Sequence, residues 1–140
     1  MTTYGSAAWK GGLKDGIGAI STKSGALKDH PYGFVARFEG GPGTNPEELI
    51  GAAHAGCFTM ALSKILGDAG FTATEMNTKA EITLEKQGDG FAITKSHLTL
   101  RAKIPGIDEV KFKELTGMAE TGCPVSKVLN AQITLDAALA

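Results

Sequence analysis

Asn45 to Leu66 reads as one long helix whose middle offers almost no polar face to water, and the rest of the chain must fold around it. Asn45 is a favourable N-cap, Pro46 suits the first helical position, and Glu47 and Glu48 complement the positive helix end. Gly67 or Gly70 supplies the stop. Leu49 to Leu62 is nearly apolar all round, and such a helix is expected to be buried on most sides. Its Gly and Ala content costs helix propensity but lets another backbone approach closely.

Around this helix the pattern is that of strands and turns. Ser6–Lys10, Gly16–Lys23 and Gly33–Phe38 read as short strands, separated by Gly11-Gly12 and by Asp29-His30-Pro31. Gly40 to Thr44 is a loop leading into the helix. From Thr78 the period changes to two, with Ala80, Ile82 and Leu84 alternating with charged or hydroxylated residues. Gly88-Asp89-Gly90 turns the chain back. The return strand ends at Pro105-Gly106, and its phase slips between Ile93 and Leu98, which predicts a bulge near Lys95 to His97. Asp108 caps a second helix running to about Glu120, with Val110, Leu115, Met118 and Ala119 inward. Pro124 opens a short third helix, and Ile133 to Leu139 forms a last strand. The expectation is a single α+β domain over residues 1–140, with antiparallel strands on either side of the buried helix.

Composition narrows the function. Fourteen Lys plus Arg stand against fifteen Asp plus Glu, with no basic run, so the sequence carries no nucleic-acid footprint. The N-terminus shows no charged segment followed by an apolar core, and no uninterrupted apolar run approaches the length of a membrane span. The expected setting is cytoplasmic, with no membrane partner. Two cysteines in a reducing compartment are more often catalytic, redox-active or simply buried than a permanent disulfide.

Cys57 sits mid-helix among small residues. Burial there raises the thiol pKa, and without a nearby cation the sulfur stays an inert small hydrophobe. Cys123 lies between Gly122 and Pro124 at a helix start, where the positive helix end favours thiolate; as an ordinary helix junction the same residue is an indifferent cap. His54 shares a helix face with Cys57, but a three-residue offset seldom orients imidazole for proton transfer, and a satisfied buried histidine is the plainer reading. His30, His97 and Cys123 lack the paired spacing of a zinc site, so no metal is expected. The Gly40-Gly-Pro-Gly-Thr44 loop lacks the endings of a phosphate-binding loop. Trp9 and Tyr4 read as packing residues. Arg37, between two apolar residues and Phe38, needs a carboxylate partner, and Glu47 or Glu48 is the nearest. An ordinary surface ion pair would explain it equally well.

Three segments taken together carry a family resemblance. Arg37-Phe-Glu-Gly40, then Gly43-Thr-Asn-Pro-Glu-Glu-Leu-Ile-Gly-Ala-Ala-His-Ala-Gly-Cys57, then Gly122-Cys-Pro-Val-Ser126 resemble the osmotically inducible protein C / organic hydroperoxide resistance (OsmC/Ohr) family over essentially the whole chain. Arg37 just before the helix, rather than near the N-terminus, resembles the OsmC branch. The resemblance implies an intertwined homodimer with sites at the interface, no bound cofactor, and a thiol peroxidase acting on organic hydroperoxides. It makes Cys57 the peroxidatic nucleophile and Cys123 the resolving thiol. Arg37 would hold Cys57 as thiolate, Glu47 would orient Arg37, and a dithiol, on the family pattern a lipoylated protein, would reduce the Cys57–Cys123 disulfide. Phe34, Phe38, Phe58 and Met60 are expected to give an apolar entry.

Two other readings compete. A stress-related dimer of the same fold that binds a hydrophobic ligand has no need of the full Cys57, Cys123, Arg37 and Glu47 set. A Cys-His hydrolase using His54 would form no disulfide.

Overall fold

A computed structural model describes all residues, 1–140, and divides into two compact units, Met1–Leu49 and Ile50–Ala140. In the first, β1 (Gly5–Lys10), β2 (Ile17–Thr22) and β3 (His30–Tyr32) form an antiparallel sheet in the order β1-β2-β3. Gly18 shows why small residues recur there, since a Cβ would meet the Tyr32 and Trp9 rings at 2.5 and 2.7 Å. Those two rings pack edge to face at 5.5 Å. Tyr4, expected to pack, is exposed.

The segment expected as a third strand, Gly33–Phe38, is instead a helical turn, α1 (Phe34–Phe38), and the strand is His30–Tyr32, which takes in His30 and Pro31 of the expected turn Asp29-His30-Pro31. Asp29, the first residue of that expected turn, stands at a positive φ of 50°. Phe34 to Phe38 has no period of two to hold it extended. Its two phenyl rings lie four residues apart and meet at 5.1 Å, as i and i+4 side chains do on a helix.

Helix α2 (Pro46–Asp68) starts as the sequence dictates, with the Asn45 carboxamide accepting from the Glu48 amide at 2.8 Å. In the second unit its buried stripe is His54, Phe58, Leu62 and Leu66, each four residues after the last. The opposite stripe is open, and Met60 is 77% exposed. Burial on most sides is therefore not reached within one chain. By length and composition alone α2 is also apolar enough to span a bilayer, contrary to the expectation that no apolar run approaches that length; the core helix of a globular protein passes the same test.

Against the buried stripe lie β4 (Glu75–Gln87), β5 (Gly90–Lys103), α3 (Glu109–Gly122), α4 (Pro124–Val128) and β6 (Gln132–Leu139). β4 and β5 form the expected hairpin, Gln87 pairing with Gly90 and Gly88 at a φ of 58°. The bulge falls at Thr94, since Lys95 pairs with Thr83 while Ile93 pairs with Leu84. That is one residue before the expected segment. It resets the phase so that Ser96, Leu98, Leu100 and Ala102 all face the core.

β6 joins β5 in parallel, not antiparallel as expected, because α3 and α4 form a crossover between them. In α3 the inward residues are Phe112, Leu115, Thr116 and Ala119; Val110 and Met118 lie off that stripe and are exposed. Asp108 caps α3 by accepting from the Lys111 amide. The fold class is α+β, with two three-stranded sheets and one long central helix.

Candidate active site

Two groups of side chains carry chemistry, one in each unit. In the first, Arg37 in the last turn of α1 meets Glu47 in the first turn of α2. Arg37 Nε donates to both carboxylate oxygens at 3.1 and 3.2 Å, and Nη2 donates to Oε1 at 2.6 Å. This forked pairing fixes the plane of a guanidinium that is always charged. Glu47 is buried, and the guanidinium carbon lies 5.4 Å from the centre of the Phe38 ring. Glu48, the other carboxylate the sequence offered, is exposed and accepts from the Thr44 hydroxyl instead. Beside the pair is a cavity of about 270 Å³ lined by Trp9, Tyr32, Phe34, Arg37 and Phe38.

In the second unit, Cys57 is half-buried on α2, and Cys123 is fully buried where α3 ends and α4 begins. Both thiols are free, and Cys123 is close enough to influence the Cys57 thiol. Burial is the main influence pushing the Cys57 thiol up. The Val125 amide opposes it by donating to the sulfur, while the Cys123 side chain adds to the rise. Cys123 Sγ caps α4 by accepting from the Ser126 amide at 3.3 Å. Cys57, Met60, Ala61, Ile65, Gly122 and Pro124 line a cavity of about 480 Å³. Lys64, also on its wall, is paired with Asp68 at 2.6 Å. Met60 thus lines an approach to Cys57, as expected, but Phe58 is fully buried in the core and lines none.

His54 is fully buried and both ring nitrogens are partnered, Nδ1 with Ser96 Oγ at 2.6 Å and Nε2 with Ser126 Oγ at 2.7 Å. It faces serines rather than Cys57. Burial lowers its pKa from the ordinary histidine value. Sequence reasoning missed both serines. Ser126 left a local signal, because a residue three after a helix-capping cysteine places its amide and hydroxyl near the sulfur. Ser96 left none, being 42 residues from His54. His97, on the other face of β5, bonds Thr134 at 2.6 Å, and no three His, Cys, Asp or Glu side chains converge as metal ligands would.

The similarity to known proteins runs through both groups. Residues 39–138 match the family described as OsmC-like protein. The chain is 57% identical to peroxiredoxin OsmC of Escherichia coli K12 over 132 residues, covering 94% of this chain and 92% of that one. It is 30% identical over 102 residues to the organic hydroperoxide resistance protein of Xanthomonas axonopodis pv. citri, covering 72% of this chain and 70% of that one. Among solved structures, OhrB of Bacillus subtilis, an organic hydroperoxide resistance protein, superposes with a TM-score of 0.73 at 27% identity, covering 100% of this chain and 98% of that one. With the match spanning most of its length, the chain belongs to the OsmC-like family.

Proposed function

We propose that this protein is a cysteine-based peroxidase that reduces organic hydroperoxides to alcohols. The observation that carries the reading is the pair of free thiols close enough to influence one another, with Cys57 opening on an apolar cavity. The names of the relatives support it: a peroxiredoxin and organic hydroperoxide resistance proteins.

The Cys57 thiolate attacks the distal oxygen of ROOH. An S–O bond forms, the O–O bond breaks, and the alkoxide leaves as alcohol on taking a proton, so that Cys57 becomes a sulfenic acid. Cys123 condenses with it, releasing water and closing a disulfide, which a dithiol reduces by exchange. Arg37, oriented by Glu47, supplies the cation that favours the Cys57 thiolate and the developing negative charge on the peroxide. The reductant is a dithiol of the lipoyl type, carried on a partner protein, in a cytoplasmic setting.

The working unit is an intertwined homodimer built from one domain per chain. Supporting it are the open stripe of α2 and the exposure of all six residues of β1. Apolar surface of this kind is ordinarily covered by a partner.

Cumene hydroperoxide consumption tests the activity. Turnover is expected with dihydrolipoamide and not with thioredoxin. A purified dimer that consumes no peroxide with either dithiol is a passive ligand binder, and the peroxidase reading fails.

Arg37→Met is expected to shift Cys57 alkylation toward higher pH, measured in a Cys123→Ser background. Burial already pushes this thiol up, and losing the cation removes an opposing influence. Each unit of rise lowers the thiolate fraction at neutral pH about tenfold. An unmoved titration would assign the activation of Cys57 to another group.

A further inference from the structure

The hydrogen bonds around the resolving cysteine continue inward. Ser126 Oγ shares a hydrogen bond with Cys123 Sγ at 3.1 Å and another with His54 Nε2 at 2.7 Å, and His54 Nδ1 is bonded to Ser96 Oγ at 2.6 Å. Three elements build this line: α4 supplies Ser126, α2 supplies His54 and β5 supplies Ser96. Cys123, His54 and Ser96 are fully buried. A buried imidazole needs partners for both nitrogens, but apolar packing would meet the demands of a core position more simply. Here the imidazole is connected through one hydroxyl to a thiol that must lose its proton in order to react.

We infer that Ser126 and His54 form a proton relay that deprotonates Cys123 when it closes the disulfide. The inference rests on the peroxidase reading and extends it to a step for which Arg37 and Cys57 offer no base. Nδ1–H donates to Ser96, which leaves Nε2 as the acceptor; Ser126 O–H donates to Nε2, and the Cys123 thiol donates to Ser126. In the closing step the Cys123 proton moves to Ser126 while the Ser126 proton moves to Nε2. The thiolate so formed attacks the Cys57 sulfur, the S–S bond forms, and the S–O bond breaks. The departing hydroxide recovers the proton from the imidazolium through Ser126 and leaves as water. One thiol and one sulfenic acid become one disulfide and one water, and His54 is neutral again. Ser126, which touches the reacting sulfur, is the catalytic residue of this step. His54 acts through it as a positioning and proton-holding residue.

Burial holds His54 below its ordinary pKa, so it is neutral, and able to accept, throughout the neutral range. Most other ionisable groups on these elements lie outside the core: Glu48, Lys64 and Asp68 on α2 and Arg101 and Lys103 on β5 are exposed, Lys95 on β5 is half-buried, and Glu47 is paired with Arg37. Cys57 is on α2. Glu120, raised by burial, stands one turn before Cys123 on α3, and Lys127 on α4 is exposed. His97 on β5 faces away, bonded to Thr134.

The test follows the two steps separately by rapid quench and mass spectrometry, between pH 6 and 8. One arm uses cumene hydroperoxide. The other uses diamide, which oxidises Cys57 to a sulfenylhydrazine without any peroxide chemistry and leaves the same closing step to Cys123. In Ser126→Ala and in His54→Gln, disulfide closure is expected to slow about a hundredfold at the acid end, the usual scale of a general base. The variants' closure rates should climb steeply with pH while the wild-type rate stays nearly flat, and Ser126→Thr, which keeps the hydroxyl, should close like wild type. Ser126→Ala leaves the His54–Ser96 bond in place, so it decides the matter even where His54→Gln fails to fold. Closure in Ser126→Ala at the wild-type rate and pH profile, or slowed equally at every pH, overturns the relay. A wild-type protein that forms no sulfenic acid with peroxide fails the peroxidase reading instead, and the diamide arm still judges the relay.

Discussion

Cys57→Ser is expected to abolish hydroperoxide turnover outright, whereas Cys123→Ser should consume one equivalent of peroxide per site and stall as a sulfenic acid. The asymmetry comes from position. Cys57 is half-buried and lines a cavity large enough for an alkyl chain, so a peroxide can reach its sulfur. Cys123 is fully buried beneath the start of α4, where its sulfur is engaged by the Ser126 amide and hydroxyl. A thiol without a path to substrate resolves; it does not initiate. Mass spectrometry after one equivalent of cumene hydroperoxide, with dimedone trapping, distinguishes the roles. A dimedone adduct of equal yield on Cys123 in the Cys57→Ser protein would reverse them, and equal single-turnover loss in both variants would remove the division altogether.

How far these positions could be read in advance depended on whether the cause was local. The Asn45 cap, the Pro46 start and the Gly88-Asp89 turn are set by a few neighbouring residues, and each stands where the sequence put it. The Thr94 bulge was displaced by one residue because a slipped phase reports that an extra residue exists, not which pair of ladder bonds brackets it. Gly33 to Phe38 reads as a strand only on its run of apolar residues, a run too short and unalternating to fix either period. The i, i+4 ring contact decided for helix. Nothing in Ile133 to Leu139 states whether β6 runs with or against β5; the crossover through α3 and α4 decides that. Val110 and Met118 were placed inward on hydrophobicity, while the stripe of Phe112, Leu115 and Ala119 turns them out. For the site, the Arg37–Glu47 pair was accessible from sequence because ten residues separate its members; the residues alone left Glu47 and Glu48 open, the family resemblance pointed to Glu47, and the geometry agrees. The partners of His54 were not accessible, since Ser96 and Ser126 lie 42 and 72 residues away.

The remaining expected result concerns which chain completes each site. Glu47 and Cys57 stand ten residues apart on α2. A rise of 1.5 Å per residue separates their backbones by about 15 Å along the axis, and 3.6 residues per turn sets their directions roughly 80° apart. Glu47 and Cys57 of one helix thus face different directions as well as lying about three turns apart. Of the small residues Gly51, Ala52 and Ala55 that the sequence offers as a crossing surface, Gly51 is buried against Ala80 within the chain. Two α2 helices crossing antiparallel around the open Ala52 and Gly56, with Ala55 half-buried, would bring the Glu47 end of one toward the Cys57 of the other. Burial in the single chain pushes the Cys57 thiol up, as it would at a site whose cation comes from elsewhere. The proposal is that each site takes Cys57 and Cys123 from one protomer and Arg37 and Glu47 from its partner. A Cys57→Ser chain, inactive alone, and an Arg37→Met chain, slowed by loss of its cation, should then gain activity over either alone when unfolded together and refolded as a mixture. Random pairing makes half the dimers mixed, each with one complete site of two, so roughly a quarter of wild-type turnover is expected. Differently tagged chains allow the mixed dimer to be isolated, and it should then show about half the wild-type rate. Isolated mixed dimers no more active than the Arg37→Met protein would place Arg37 and Cys57 of each site in the same chain.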